Sequence, residues 1–349
     1  MPDRPRLTPA IAELRRATRA ALDGLSPDAL VLVALSGGSD SLALAAALAF
    51  EAPRGGWRGG ALIVDHGLQN GSADVAARAA QQATALGLAP VRVERVWVGG
   101  GHVGSGHGGS GHGGPEAAAR LARYAALERA ASDLEASVVL LAHTLDDQAE
   151  TVLLGLARGS GAASLQGMPA ERPMATGGSF RRPLLGVRRA TTVQACADAG
   201  LEPWLDPHNA DPGFTRVRVR QTVLPVLEAE LGPGVAEALA RTAEQLREDA
   251  AALDTFAAEV AEDLAEHSEA GLALPVDALA ANPPALRQRI IRLVVSAEFG
   301  VALSRAQTLD VARLVTDWHG QTGLDLPGVR VVRRGGKLRF EARGADGTA

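Results

Sequence analysis

The segment 31–44, VLVALSGGSDSLAL, constrains the fold more than any other part of the chain. A buried apolar strand runs without a spacer into a Ser/Gly loop, and the loop runs directly into an apolar helix. Gly37 and Gly38 let the backbone approach an anion closely, while free N–H groups at the helix start point at it. The hydroxyls of Ser36, Ser39 and Ser41 add donors. Asp40 would repel a bare phosphate, which suggests a bridging Mg²⁺. The sole lysine, Lys337, is followed by Leu338, so this is not a Walker A loop.

The pattern continues around this loop. Residues 30–35, 61–64, 91–98 and 138–142 read as short buried strands, with helices expected at 39–50, 72–86 and 115–131. That alternation predicts an α/β fold with a parallel sheet covered on both faces. Thr8-Pro9 opens an N-terminal helix with Ile11, Leu14, Thr18, Leu22 and Leu25 on one face. Residues 155–214 read as loops around a site, with arginine clusters at 158 and 181–182 and a further pair at Arg188 and Arg189. Beyond Pro225 a helical stripe follows, formed by Val235, Leu239, Leu246, Leu253, Phe256, Val260 and Leu264. Two more helices near 284–298 and 304–317 precede a hairpin over 324–340, turning at Gly335-Gly336. A length of 349 residues suits two domains, and the change of character places their boundary at 225: residues 1–225 and 226–349.

Composition narrows the chemistry. Cys196 is the only cysteine, which excludes internal disulfides and cysteine-ligated clusters and reads as a core residue. A net charge of −5 means that a nucleic-acid partner would have to meet a local patch of arginines. No apolar stretch approaches the ~18 residues of a membrane span, so a cytoplasmic protein without a membrane partner is expected. The low-complexity segment 99–114 carries His102, His107 and His112 at five-residue spacing and reads as a flexible Gly-rich loop.

Further clusters follow in order: Asp65-His66 at the end of the second strand, then Glu116, Arg120, Arg123 and Tyr124 on one helix. His143, Asp146, Asp147 and Glu150 follow the fourth strand. Singly each has a plain reading: Glu116 with Arg120 as an i,i+4 pair, Asp146-Asp147 as a helix N-terminus. Their ordered succession downstream of Ser36–Ser41 points to one site.

The 36–41 loop resembles the pyrophosphate loop of the PP-loop ATPases, which split ATP between the α- and β-phosphates. With the clusters at 64–68, 116–124, 143–151, 158–161, 182–185 and 206–220, the chain resembles the tRNA(Ile)-lysidine synthases over residues ~25–225. That resemblance implies a Rossmann-like PP-loop sheet followed by a mainly helical tRNA-recognition domain. It implies ligation of L-lysine to the wobble cytidine of tRNA(Ile) with a CAU anticodon, through an adenylated cytidine, with no obligate protein partner apparent. ATP would lie on Ser36, Gly37, Gly38, Ser39, Asp40, Ser41, Asp65 and His66. Asp40 and Asp147 would hold Mg²⁺, with His143 and Glu150 completing the catalytic set. Glu116, Arg120 and Arg123 would meet lysine or the activated base, and Arg181, Arg182, Arg216 and Arg220 the tRNA. Arg333 and Arg334 of the basic hairpin join them as phosphate contacts. Val217 stands where the family usually has Asn. A PP-loop tRNA thiolase and a non-enzymatic nucleotide sensor are the alternatives, and a lone cysteine argues against the first.

Overall fold

The computed structural model describes residues 7–65, 67, 71–96, 115–159, 161–268 and 271–343. It divides into two compact units, 1–244 and 245–349. The division falls inside a helix, well past the change of character at 225.

In the first unit α1 (Pro9–Leu22) is capped by Thr8, whose hydroxyl accepts from the Ile11 N–H. Then β1 (Leu30–Ala34), α2 (Ser39–Gly55), β2 (Arg58–Asp65), α3 (Ser72–Ala85), β3 (Val91–Arg95), α4 (Pro115–Asp133) and β4 (Val138–Leu140) alternate as the sequence predicts. The stretch read as loops holds more order than expected. It contains α6 (Ala162–Leu165), β5 (Glu171–Pro173), β6 (Ser179–Arg181) and α7 (Arg189–Asp198), after α5 (Leu145–Ala157). Next come α8 (Thr215–Arg218) and α9 (Leu224–Leu231), and α10 (Val235–Leu264) crosses the division.

The strands form one sheet in the order β3-β2-β1-β4-β6-β5, parallel except for β5. Alternation along β1 explains why helices cover both faces. Val31 and Val33 pack with Leu14 of α1 and Leu44 and Leu48 of α2, while Leu30 and Leu32 pack with Leu127 and Ala131 of α4. The chain runs from β1 to β2 and β3 on one side, then to β4 on the other. The carboxyl ends of β1 and β4 therefore flank a topological switch point, where open parallel sheets bind ligands.

In the second unit β7 (Glu266–Ser268), β8 (Gly271–Pro275), β9 (Leu324–Leu326), β10 (Val329–Arg334) and β11 (Lys337–Ala342) form an antiparallel sheet in the order β7-β8-β11-β10-β9. With it are α11 (Val276–Ala281), α12 (Pro284–Phe299) and α13 (Arg305–Thr316). The expected hairpin is present as β10–β11, its turn made by Gly335 and Gly336, both at positive φ. It is the middle of a five-stranded sheet, so this unit is less purely helical than the sequence suggests.

The stripe expected on α10 is also shifted. Its buried positions are Ala236, Ala243, Ala250, Ala257 and Ala261, whereas Phe256 is 54% exposed.

Candidate active site

Beyond β1, the Leu35 N–H still donates to the Leu62 carbonyl, and the chain then leaves the sheet into the Ser/Gly loop. Ser41 Oγ accepts from the Ser36 N–H at 3.1 Å, meets Ser36 Oγ at 3.0 Å and donates to the Gly38 carbonyl at 3.0 Å. Gly37 has φ +84°, a conformation that favours glycine, and its carbonyl accepts from the Trp204 N–H at 2.9 Å. Gly38 caps α2 with no side chain to accept from the first turn, so those N–H groups are left for an anion.

A cavity of about 290 Å³ lies beside this loop, lined among others by Ser36, Asp65, Ser72, Arg123, Trp204 and His208. Asp65 ends β2 and accepts from the Gly67 N–H at 3.0 Å. Burial pushes its carboxyl up, but the Ser72 hydroxyl, the Gly67 N–H and Arg95 together hold it below the usual range. His66 and the whole of 99–114 lie outside the described residues, and of Glu116 only its place on α4 is described.

Past β4, Thr144 caps α5 in a capping box: Asp147 Oδ2 accepts from the Thr144 N–H at 2.8 Å and its hydroxyl at 2.9 Å. The plain reading of this aspartate is thus correct, and it has a second role. Its Oδ1 accepts from Arg189 Nη2 at 2.9 Å. The same guanidinium reaches Asp40 Oδ2 through Nε at 3.4 Å and Glu150 Oε1 through Nη1 at 3.3 Å. Glu150 is fully buried and also accepts from Arg216 Nε at 3.0 Å and Arg220 Nε at 2.7 Å. Three carboxylates therefore face three guanidiniums. Burial pushes the Asp40 carboxyl up, against the pull of Thr192 and Arg189. Burial acts on Asp147 too, but Arg189, the Thr144 N–H and Arg216 outweigh it and hold Asp147 down.

This network engages several of the residues expected at the site. Arg216 and Arg220, expected on tRNA, are counter-ions of Glu150 in this structure. Arg188 pairs with Asp146, Glu228 and Glu237, and Arg189 with the acidic cluster. Divalent-ion ligation by Asp40 and Asp147 does not fit the side chains as they stand. Both oxygens of each are taken: Asp40 by the Thr192 hydroxyl and Arg189, Asp147 by Thr144 and Arg189. Among the described residues no group of three or more His, Cys, Asp or Glu converges as a metal site.

The opposite wall is cationic. Arg182 is 5% exposed and donates to the Pro169 carbonyl at 2.8 Å and to the Tyr124 hydroxyl at 3.2 Å. Arg181 is likewise engaged, with the Ala21 carbonyl at 2.7 Å and Glu171 at 3.1 Å. Arg120 donates to the same Tyr124 hydroxyl at 3.4 Å. Arg182 Nε and His143 Nδ1 are buried and find no partner among the described residues. Burial, with Arg182, Arg123 and Arg120 adding to it against Asp147, pushes the His143 imidazole down to about 3, so it is neutral at ordinary pH. Burial also lowers the Arg123 guanidinium. Arg182, Arg120 and Arg123, beside buried polar nitrogens without a partner among the described residues, suit an anion.

In the second unit, Arg333 turns toward the protein: it donates to the Leu314 and Val315 carbonyls at the end of α13 and lies over Trp318. Arg334 and Arg339 stand exposed on the other face of the hairpin, the pleat alternating their direction.

Trp204 escaped sequence reasoning as a site residue, and Arg189 reads from the sequence only as a candidate for RNA phosphate. The only signal for Arg189 was the doubled arginine ahead of a helix. Cys196 is buried as expected; its Sγ lies 3.4 Å from the Ser39 carbonyl, and burial pushes the thiol up to about 12.

The chain matches the family model of a PP-loop domain over residues 11–227 and that of a TilS substrate binding domain over 274–339. It is 66% identical over 319 residues to a tRNA(Ile)-lysidine synthase of Leifsonia xyli subsp. xyli, covering 90% of this chain and 91% of that one. To a protein of the same name from Salinispora tropica it is 51% identical over 344 residues, covering 97% and 99%. Among solved structures it is similar in fold to the U34-tRNA thiolase NcsA of Methanococcus maripaludis, with a TM-score of 0.57 and 20% identity over 68% of this chain and 80% of that one.

Proposed function

The chain belongs to the tRNA(Ile)-lysidine synthase family, and on that premise we propose that it joins L-lysine to C2 of the wobble cytidine, position 34, of tRNA(Ile) bearing a CAU anticodon. ATP is the co-substrate, and the protein works in the cytoplasm; among the described residues no helix is long and apolar enough to cross a membrane. The observation that carries the reading is the meeting, at the switch point of the sheet, of an open anion nest, a cationic wall and an acidic cluster.

Each part matches a demand of the chemistry. The cytidine C2 oxygen attacks the α-phosphate of ATP, and pyrophosphate leaves with the broken α–β bond. The loop Ser36–Ser41 holds the departing phosphates through backbone N–H groups and hydroxyls. Arg123 and Arg182, beside neutral His143, face the charge that develops at phosphorus. The lysine ε-amine then attacks C2 and AMP leaves. Lysine brings a carboxylate, which suits the Arg120–Arg123 side. No side-chain nucleophile is needed; the protein positions its substrates and balances charge. The target base must leave its stack to reach these groups.

The thiolase alternative fails on the cysteine: Cys196 is 1% exposed and held as a thiol, unfit to carry sulfur. The test is transfer of labelled lysine to transcripts with C34 or an altered base, together with labelled ATP. Lysine should appear only on C34 transcripts, with AMP and pyrophosphate as products. ADP as the main product, or ATP cleavage that proceeds without tRNA, would refute the reading.

For the second unit we assign tRNA phosphate contacts to the exposed hairpin face, Arg334 with Arg339 in place of Arg333. Each phosphate neutralised contributes about −0.9 to the slope of log affinity against log salt on duplex backbone. An Arg334→Gln/Arg339→Gln variant should flatten that slope by about one to two, while Arg333→Gln should leave it unchanged. Filter binding over a salt series decides; equal slopes in all three proteins would remove the hairpin from the interface.

A further inference from the structure

Arg189 is the residue that the acidic cluster is built around. Its guanidinium offers Nε to Asp40, Nη1 to Glu150 and Nη2 to Asp147, and its side chain is only 21% exposed. Three further contacts fix its backbone and flank. Its own N–H donates to Asp146 Oδ2 at 2.7 Å, its carbonyl accepts from the Thr192 hydroxyl at 2.7 Å, and that same hydroxyl donates to Asp40. The start of α7 is therefore tied to the starts of α2 and α5, the two helices that leave the switch point. Burial works against the Arg189 charge, and Asp147, Glu150, Asp40 and Asp146 outweigh it, so the guanidinium is held fully charged.

We propose that Arg189 is a positioning residue that serves as the resident cation of the Asp40–Asp147 pair, closing that pair to divalent ions while no nucleotide is bound. The physical ground is donor geometry. An octahedral ion needs free oxygens at about 2.0–2.1 Å, whereas every oxygen of this pair already accepts from Arg189, Thr192 or Thr144. A planar guanidinium can meet three carboxylates at once, and it cannot be titrated away. It sets the spacing of Asp40 on α2 from Asp147 on α5.

The test uses the nucleotide-free full chain and Mn²⁺ as probe, with bound Mn²⁺ counted by electron paramagnetic resonance. The quantity read is the Mn²⁺ lost on passing from wild type to Asp40→Asn or Asp147→Asn. A loss of none is expected; a loss of one ion per chain would overturn the proposal. Arg189→Gln frees Asp40 Oδ2 and removes the nearer of two guanidiniums from Asp147 Oδ1, and should gain one Mn²⁺, a gain abolished by adding Asp147→Asn. A folded Arg189→Gln protein, verified by circular dichroism, that gains no Mn²⁺ would also overturn it. Arg189→Lys, keeping charge but losing the three-way fork, should stay closed to Mn²⁺ while kcat falls and KM for ATP holds. Should Arg189→Gln fail to fold, the wild-type and aspartate arms still decide.

Discussion

Glu150→Ala is expected to lower stability by about 3–5 kcal/mol, the range for breaking a buried ion pair by removing one partner. The carboxylate is fully buried and is shared by Arg189, Arg216 and Arg220, with distances from 2.7 to 3.3 Å. Deleting it leaves Arg189 with Asp40 and Asp147, Arg220 with Asp147 alone, and Arg216 without a carboxylate among the described residues, its desolvation uncompensated. Urea unfolding should show the midpoint fall at unchanged slope. Adding Arg220→Met to Glu150→Ala should restore part of the loss, because one uncompensated cation is removed with it. A loss below about 1 kcal/mol would mean the cluster is solvated like a surface pair.

Asp147→Asn should cut turnover by about 10²-fold or more while ATP and tRNA affinities stay within a few fold. The side chain keeps its shape and can still cap Thr144, so the fold is preserved. What is lost is the charge that holds Arg189 and Arg220, and the carboxylate whose field acts on neutral His143. Groups that set geometry for the chemical step act on kcat, since ground-state binding does not use them. Asp40→Asn should behave alike, through Arg189 and Thr192. Single-turnover rates with saturating ATP and tRNA provide the check. Wild-type rates in both variants would remove the pair from the site, and a fall in tRNA binding alone would reassign them.

The first unit was legible because its code is local. Strands such as Leu30–Ala34 are short and wholly buried, and each hands over to a helix whose start carries the functional residues. The anion loop, His143, Asp147 and Glu150 are near in sequence to the strand ends that place them. What could not be read was the partnering of charges across long separations. Arg189 meets Asp40 from 149 residues away, and Arg220 meets Glu150 from 70. Any of the arginines from 181 to 220 fits the bare pattern, and only the fold selects. On α10 the difficulty was size: the large side chains mark one stripe, but close helix packing buries alanines, and Phe256 is left outside. In the second unit β7 and β8 are too short, at 3 and 5 residues, for alternation to announce them.

The middle position of β1 bears on how the protein comes apart under partial stress. All five of its residues are buried, whereas β3 at one edge is half open to water and β5 at the other is exposed. Sub-global opening begins where few apolar contacts must be broken, so the margins of this sheet fray long before its middle. The Ser/Gly loop hangs from the strand that yields last. A molecule with a frayed edge would still grip phosphate, and it would lose β5, which sits beside the strand leading to Arg182, before it lost the nest. Phosphate-bearing ligands would then protect the middle of the sheet from exchange and proteolysis without protecting its rim.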